Sequence, residues 1–220
     1  MSKVIAIIQA RLGSERLPNK VLLQIPPESG VSMLEMVIRK ALLAKTVDEV
    51  VVVTPDKELV KICKMCGVDY FVKSWPERDV LREFYFAAET FQPDVIVRLT
   101  ADCPLLRPEE IDRCVNAFKE KETIFVDILY NTDESTGQLN GEGSDVEVFW
   151  NVSLCMAFQC AKKPEEREHA TLWMRNYLRT KFMDSAPLGI KSVNTYQDYL
   201  DVCRIISKKQ LTPTENMVEF

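Results

Sequence analysis

Apolar and polar positions along this chain follow two rhythms. Unbroken apolar runs at Val4-Ile5-Ala6-Ile7-Ile8, Val50-Val51-Val52-Val53 and Val95-Ile96-Val97-Arg98-Leu99 predict strands buried on both faces, as inside a parallel sheet. Between them the apolar residues recur at helical spacing. Leu34, Val37, Ile38, Ala41 and Leu42 predict a helix opening at Val31 or Ser32. Leu59, Ile62, Cys63 and Met65 predict another, with Thr54 as N-cap, Pro55 at its first position and Gly67 as its stop. A short strand at 68–72, a helix at 80–91 after Trp75-Pro76, and a helix at 108–121 complete this half. Strands alternating with helices imply right-handed βαβ units on a parallel sheet.

The second half is less regular. Residues 124–129 read as a strand, and 131–144, rich in Asn, Gly, Asp, Glu, Ser and Thr, read as a mobile loop of lid-like length. Val146-Glu147-Val148-Phe149 resumes strand character, and helical patterns follow at 152–161 and 165–179. A last helix at 196–208 opens on Thr195-Tyr196-Gln197-Asp198, a variant of the capping box. The expected organisation is one domain over 1–210, with an excursion at about 124–150 and a tail at 211–220.

Composition narrows the functional classes. The 220 residues carry a formal net charge of -5, which argues against a nucleic-acid coat protein. No apolar stretch reaches the length of a membrane span, and Met-Ser-Lys runs straight into a core strand, so a cytoplasmic protein is expected. Seven cysteines, most of them inside helical patterns, read as reduced thiols used as small apolar residues. Cys63-Lys64-Met65-Cys66 lacks a second pair at zinc spacing.

Candidate chemistry begins where the first strand ends. The loop Gln9-Ala10-Arg11-Leu12-Gly13-Ser14-Glu15-Arg16-Leu17-Pro18-Asn19-Lys20 puts Arg11, Arg16 and Lys20 at a strand's carboxyl end, where open α/β sheets bind ligands. Backbone N–H groups near Gly13 and Ser14 would add to a polyphosphate cradle. The stretch is neither a Walker loop nor a Gly-x-Gly-x-x-Gly turn. Asp102, just beyond the third strong strand, has two readings: a carboxylate for a hard divalent cation, or a turn and cap residue. Arg98, inside a strand, requires an anionic ligand or an ion-pair partner among Asp127, Asp145 and Glu147. Asp145 is alternatively a group for acceptor hydroxyls, and His169, the single histidine, is either a ligand contact or an ordinary helix residue.

These blocks resemble a known family. Gln9 to Leu22, Asp79-Val80-Leu81, Val97-Arg98-Leu99-Thr100-Ala101-Asp102-Cys103-Pro104-Leu105, Ser144-Asp145-Val146-Glu147-Val148-Phe149 and Arg167-Glu168-His169-Ala170-Thr171 follow, in order, the pattern of the spore-coat polysaccharide (SpsF-type) cytidylyltransferases. The enzymes that activate 3-deoxy-manno-octulosonate and acylneuraminate are more distant relatives. The resemblance implies a nucleotide-diphospho-sugar transferase fold: an α/β class, three-layer α/β/α sandwich around a mostly parallel sheet. It implies CTP as donor, a small acidic acceptor, Mg²⁺ as cofactor and a homodimer.

Carried onto this chain, it implies that Arg11, Ser14, Arg16 and Lys20 hold the triphosphate, with Gln9, Ala10, Gly13, Thr100 and Ala101 around the nucleotide. Arg11, Arg16, Lys20 and Asp102 would carry catalysis, and Arg98, Asp145, Glu147, Arg167 and His169 would meet the acceptor. Asp102 would bind the metal. The family's second aspartate, in a Val-Asp-Thr-Pro-Glu-Asp pattern, is Asn194 here, a neutral oxygen donor in its place. A catalytically impaired nucleotide-binding subunit remains a second reading on that ground. A glycosyltransferase of similar fold would need an Asp-x-Asp motif, which the sequence lacks.

Overall fold

The computed structural model describes residues 2–75, 78–120, 125–131, 143, 145–183 and 192–210, without the side chains of 209 and 210. The unbroken apolar runs become β1 (Val4–Gln9), β2 (Glu49–Thr54) and β4 (Val95–Thr100), with β3 (Asp69–Val72) beside β2. These four are parallel, and β1 lies between β2 and β4. Three further strands, β5 (Ile128–Tyr130), β6 (Glu147–Trp150) and β7 (Thr180–Phe182), extend the sheet to the order β3-β2-β1-β4-β6-β5-β7. β6 runs antiparallel to both of its neighbours, while β5 and β7 pair in parallel.

Both faces of the sheet are covered, and β1 shows why its run is continuously apolar. Val4, Ala6 and Ile8 face α1 (Met33–Leu42), α2 (Val60–Cys66) and α4 (Pro108–Lys119) through Leu34, Ile38, Ile62 and Ile111. Ile5 and Ile7 face α3 (Val80–Phe91), α5 (Asn151–Cys160) and α7 (Leu172–Tyr177) through Leu81, Phe84, Leu154 and Met174. Side chains alternate across a strand, so a two-sided core requires apolar residues at every position. Each fully buried aliphatic or aromatic side chain contributes about 1.5–3 kcal/mol. The result is the expected α/β/α sandwich.

A third cluster positions the site. Ile25, Met33, Met36 and Leu105 pack with Val193, Tyr199 and Val202, which docks α8 (Tyr196–Gln210) over the turns that follow β1 and β4. Tyr199 fixes this contact by donating its hydroxyl to the Gln24 carbonyl at 2.9 Å. The start of α8 is closed by Asp198, whose Oδ2 accepts from the Thr195 amide at 2.7 Å and the Asn194 amide at 3.0 Å. The Thr195–Asp198 box was legible in the sequence.

Four local expectations change. Thr54 is the last residue of β2 rather than a helix cap; its Oγ1 accepts from the Asp56 amide at 3.0 Å, and a 3-10 turn at Lys57–Leu59 precedes α2. The single helix expected at 165–179 is two, α6 (Pro164–Glu168) and α7, parted at His169-Ala170-Thr171 because Thr171 is drawn to a buried carboxylate. The strand expected at 124–129 is shorter and later, at Ile128–Tyr130. Asn131, placed in a loop by sequence, is fully buried: its Nδ2 donates to Glu110 at 2.9 Å and its Oδ1 accepts from the Val146 amide at 2.8 Å. The rest of the expected loop falls outside the described residues, apart from Gly143, as does the tail at 211–220. Within the expected excursion, β5 and β6 are members of the main sheet.

Candidate active site

The chain order of the parallel strands reverses between β1 and β4, and the crevice lies at their carboxyl ends. Their register aligns Gln9 with Thr100, and the Ala101 amide donates to the Gln9 carbonyl at 3.0 Å. The loop after β1 and the turn after β4 therefore leave the sheet side by side.

Local hydrogen bonds shape the first loop. The Leu12 amide donates to Asp56 at 2.7 Å, tying the loop to the end of β2. The Leu12 carbonyl accepts from the Ser14 amide at 2.8 Å and the Asn19 amide at 3.0 Å. The Ser14 N–H is thus committed within the loop rather than available to an anion. Asn19 adopts a left-handed conformation, φ 58°, a region in which asparagine is better tolerated than most residues. That turn starts a 3-10 segment at Lys20–Leu22, with Val21 in the core and Lys20 directed into the crevice.

A cleft of about 440 Å³ opens here. Gln9, Ala10, Arg11, Ser14, Arg16 and Lys20 line it from the first loop, and Arg98, Thr100, Ala101 and Asp102 from β4 and its turn. His169 and Asn194 complete the expected residues on its wall. Most of the residues singled out from the sequence are therefore brought together.

Lys20 is the most constrained of them. Its ammonium donates to Asp102 Oδ2 at 2.6 Å, to the Val193 carbonyl at 2.7 Å and to Asn194 Oδ1 at 3.2 Å. The Asn194 amide is oriented by its Nδ2, which donates to Ser192 Oγ at 2.9 Å. The Val193 amide in turn donates to the Asp102 carbonyl at 2.8 Å, so the segment before α8 is stitched to the β4 turn. The donor set of one carboxylate oxygen, one amide oxygen and one carbonyl suits a hard divalent cation in chemistry. Among the described residues no cluster of three or more His, Cys, Asp or Glu side chains could hold a metal without other ligands.

Four expected residues stand apart from the wall. Gly13 is on the loop, and a Cβ there would meet nothing within 4 Å, so close approach to a neighbour is not its role in this structure. Glu147 is buried; its Oε2 accepts from Arg98 Nη1 at 2.5 Å and its Oε1 from the Thr171 hydroxyl at 2.8 Å. This selects Glu147 as the partner that Arg98 required, since Asp127 is taken by Arg179 at 2.9 Å. Burial opposes the charge of Arg98, but Glu147 outweighs it and raises the guanidinium pKa. Arg98 still lines the cleft, and its buried Nε is without a hydrogen-bond partner among the described residues. Arg167 points elsewhere: its Nε and Nη2 reach Asp79 at 2.9 and 2.5 Å, and its Nη1 donates to the Phe158 carbonyl at 3.0 Å. Asp145 lies beside Cys103, whose thiol approaches its Oδ2 at 3.7 Å.

The sequence reading missed Arg78 and Glu168, which form an ion pair on the cleft wall. The available signal was position: Arg78 precedes the helix cap Asp79, and Glu168 precedes His169, each inside or beside a block already marked. Burial, with Arg78 as the next cause, lowers the pKa of Arg11 from its ordinary value. Cys103, behind Asp102, has its thiol pushed well up by burial and by the carboxylates of Asp145 and Asp102, which makes it a poor nucleophile. Cys63 is also buried, with its thiol raised to about 11.

Comparison with known proteins places this geometry. A family model described as Cytidylyltransferase matches residues 5–214. The chain is 37% identical over 173 residues to an uncharacterized protein of Methanocaldococcus jannaschii, covering 77% of this chain and 65% of that one. It is 30% identical to the spore coat polysaccharide biosynthesis protein SpsF of Bacillus subtilis, covering 100% of this chain and 93% of that one. Among solved structures, a CMP:2-keto-3-deoxy-manno-octonic acid synthetase complexed with CTP superposes with a TM-score of 0.74 at 18% identity, covering 94% of this chain and 100% of that one. That last likeness is one of fold.

Proposed function

The chain belongs to the cytidylyltransferase family, and on that premise we propose that it transfers CMP from CTP to an acidic sugar or similar small acid, with release of pyrophosphate. The observation that carries this reading is the convergence of Arg11, Ser14, Arg16, Lys20 and Asp102 on one cleft at the switch point of the sheet. The solved synthetase of similar fold, named for CMP and 2-keto-3-deoxy-manno-octonic acid, is complexed with CTP, which agrees with it. SpsF, by its name, serves polysaccharide biosynthesis, and we assign the same setting to this chain.

The mechanism follows from charge. An acceptor oxygen attacks the α-phosphorus, the bond to the bridging oxygen of the β-phosphate breaks, and pyrophosphate departs with that electron pair. Negative charge gathers on non-bridging and leaving oxygens. Arg11, Arg16 and Lys20 face the cleft as preorganised cations, and catalysis is positioning plus electrostatic stabilisation. No protein nucleophile is needed. Thr100 and Ala101, beside Gln9, are assigned to the nucleoside end. Asp102, Asn194 and the Val193 carbonyl fit Mg²⁺ as hard oxygen donors; the ion, when bound, supplies further positive charge to the phosphates.

For the acceptor we assign His169, Arg78 and Arg98, which share the cleft wall, and Asp145, whose charge acts on Arg98. Glu147 and Arg167 act at one remove, by holding Arg98 and Asp79. The same reading has the chain acting as a cytoplasmic homodimer, without nucleic-acid or membrane partners. No described helix is long and apolar enough to cross a membrane.

Thermal-shift titration with CTP, UTP, ATP and GTP, with and without Mg²⁺, tests the donor, because a ligand that binds the folded state raises its apparent stability. The largest shift is expected with CTP and Mg²⁺. Preference for a purine nucleotide overturns the donor. Pyrophosphate release from CTP across a panel of ulosonic, nonulosonic and phosphorylated acids then tests turnover, and release that no acceptor stimulates favours the impaired-subunit reading.

A further inference from the structure

We propose that the Lys20 ammonium is a built-in counter-ion that keeps free divalent metal out of the Asp102 site, so that metal enters only together with a polyphosphate. The claim about exclusion stands on geometry alone; the claim about entry rests on the functional reading above.

The geometry is complete from the lysine's side. An ammonium has three N–H donors. Those of Lys20 meet three oxygens, Asp102 Oδ2 at 2.6 Å, the Val193 carbonyl at 2.7 Å and Asn194 Oδ1 at 3.2 Å. The side chain is only 11% exposed, so water competes poorly for these contacts. The same three oxygens make up the donor set suited to a hard cation. An ion held by these oxygens would compete with the ammonium for the same atoms. Lysine and metal therefore exclude one another at this point.

Charge decides which of them holds the site. Asp102 is the one carboxylate that reaches Nζ among the described residues, and Asn194 contributes an oxygen without a charge. One ammonium balances one carboxylate, so a free divalent ion gains little by displacing it and must also lose water, which Mg²⁺ does reluctantly. A polyphosphate changes that balance. Arg11 and Arg16 line the same cleft and draw phosphate in without any metal. Lysine is a long, flexible point charge. Its ammonium can leave Asp102 for phosphate oxygens, and the vacated oxygens then face an ion already carried by the phosphates. Lys20 would thus set the order of binding as well as neutralise the leaving group.

The test uses Mn²⁺ as a spectroscopic stand-in, with the free ion counted by electron paramagnetic resonance. Wild-type chain alone should leave Mn²⁺ free, and inorganic tripolyphosphate or CTP should bring it onto the protein. Lys20→Met should bind Mn²⁺ without any phosphate, roughly tenfold or more tightly than wild type. Lys20→Arg should keep the exclusion. Phosphate-independent binding by wild type that Asp102→Asn abolishes overturns the proposal, and so does a Lys20→Met variant that folds yet binds no better. Should Lys20→Met not fold, the wild-type and Asp102→Asn comparison decides alone. The metal-only arm contains no nucleotide, so its outcome is independent of whether CTP is the substrate. Recruitment by tripolyphosphate but not by CTP would leave exclusion intact and sink the nucleotide reading.

Discussion

Arg167 and Asp79, 88 residues apart, meet at a single carboxylate oxygen, with Nε at 2.9 Å and Nη2 at 2.5 Å from Oδ2. The other oxygen of Asp79 caps α3 by accepting from the Arg82 amide at 2.9 Å. One buried side chain thereby starts a helix and anchors α6 to it. Asp79→Ala removes the cap and strands a mostly buried guanidinium, so unfolding free energy should fall by about 2–4 kcal/mol in urea titration. Arg167→Ala should likewise lower stability while leaving the acceptor KM of the folded enzyme near wild type. A raised acceptor KM at unchanged stability would return Arg167 to ligand binding.

Glu83 predicts a pH dependence. Burial, followed by the neighbouring Asp79, pushes its carboxyl from 4.5 to about 7. Between those values the folded chain keeps a proton that the unfolded chain has released. Stability from this group therefore declines as pH rises from about 4.5 to about 7. Glu83→Gln should be near neutral at the acid end and stabilising above pH 7. Melting temperatures of the two proteins at several pH values check this, and a gap that does not widen with pH counts against it.

Asn194→Asp adds a second charge to the oxygens around Lys20. If the proposed metal site is right, the Mg²⁺ concentration for half-maximal pyrophosphate release should drop by about tenfold. An unchanged titration removes Asn194 from the site.

His169 lines the cleft from the break between α6 and α7. His169→Ala should raise the acceptor KM far more than the CTP KM, by about tenfold for loss of one hydrogen bond to a charged group. Equal effects on both constants would argue that the residue only shapes the break.

Legibility in the sequence followed burial. β1, β2 and β4 are sandwiched between helices, so their apolar runs are unmistakable, while the polar edge strand β7, Thr180-Lys181-Phe182, carries no such signal. The break at His169 was hidden because Trp173 and Tyr177 continue the helical spacing past it; its cause, Thr171 bonded to Glu147, is a tertiary contact. The cleft residues were legible as blocks because each block ends a strand or opens a helix at one sheet edge. Their roles within it were less so. Nothing local tells that Arg98 is held by Glu147, that Arg167 turns to Asp79, or that Lys20 reaches a residue 174 positions away.

That last separation bears on how the molecule is made. Synthesis delivers the arginines of the first loop early and Val193, whose backbone joins Lys20 to the Asp102 turn, only after every described strand of the sheet. A chain made only as far as β7 holds every described strand of the sheet, yet it lacks the backbone that closes the floor of the cleft. A chain cut before Val193 would therefore leave the Lys20 ammonium without two of its three oxygen partners.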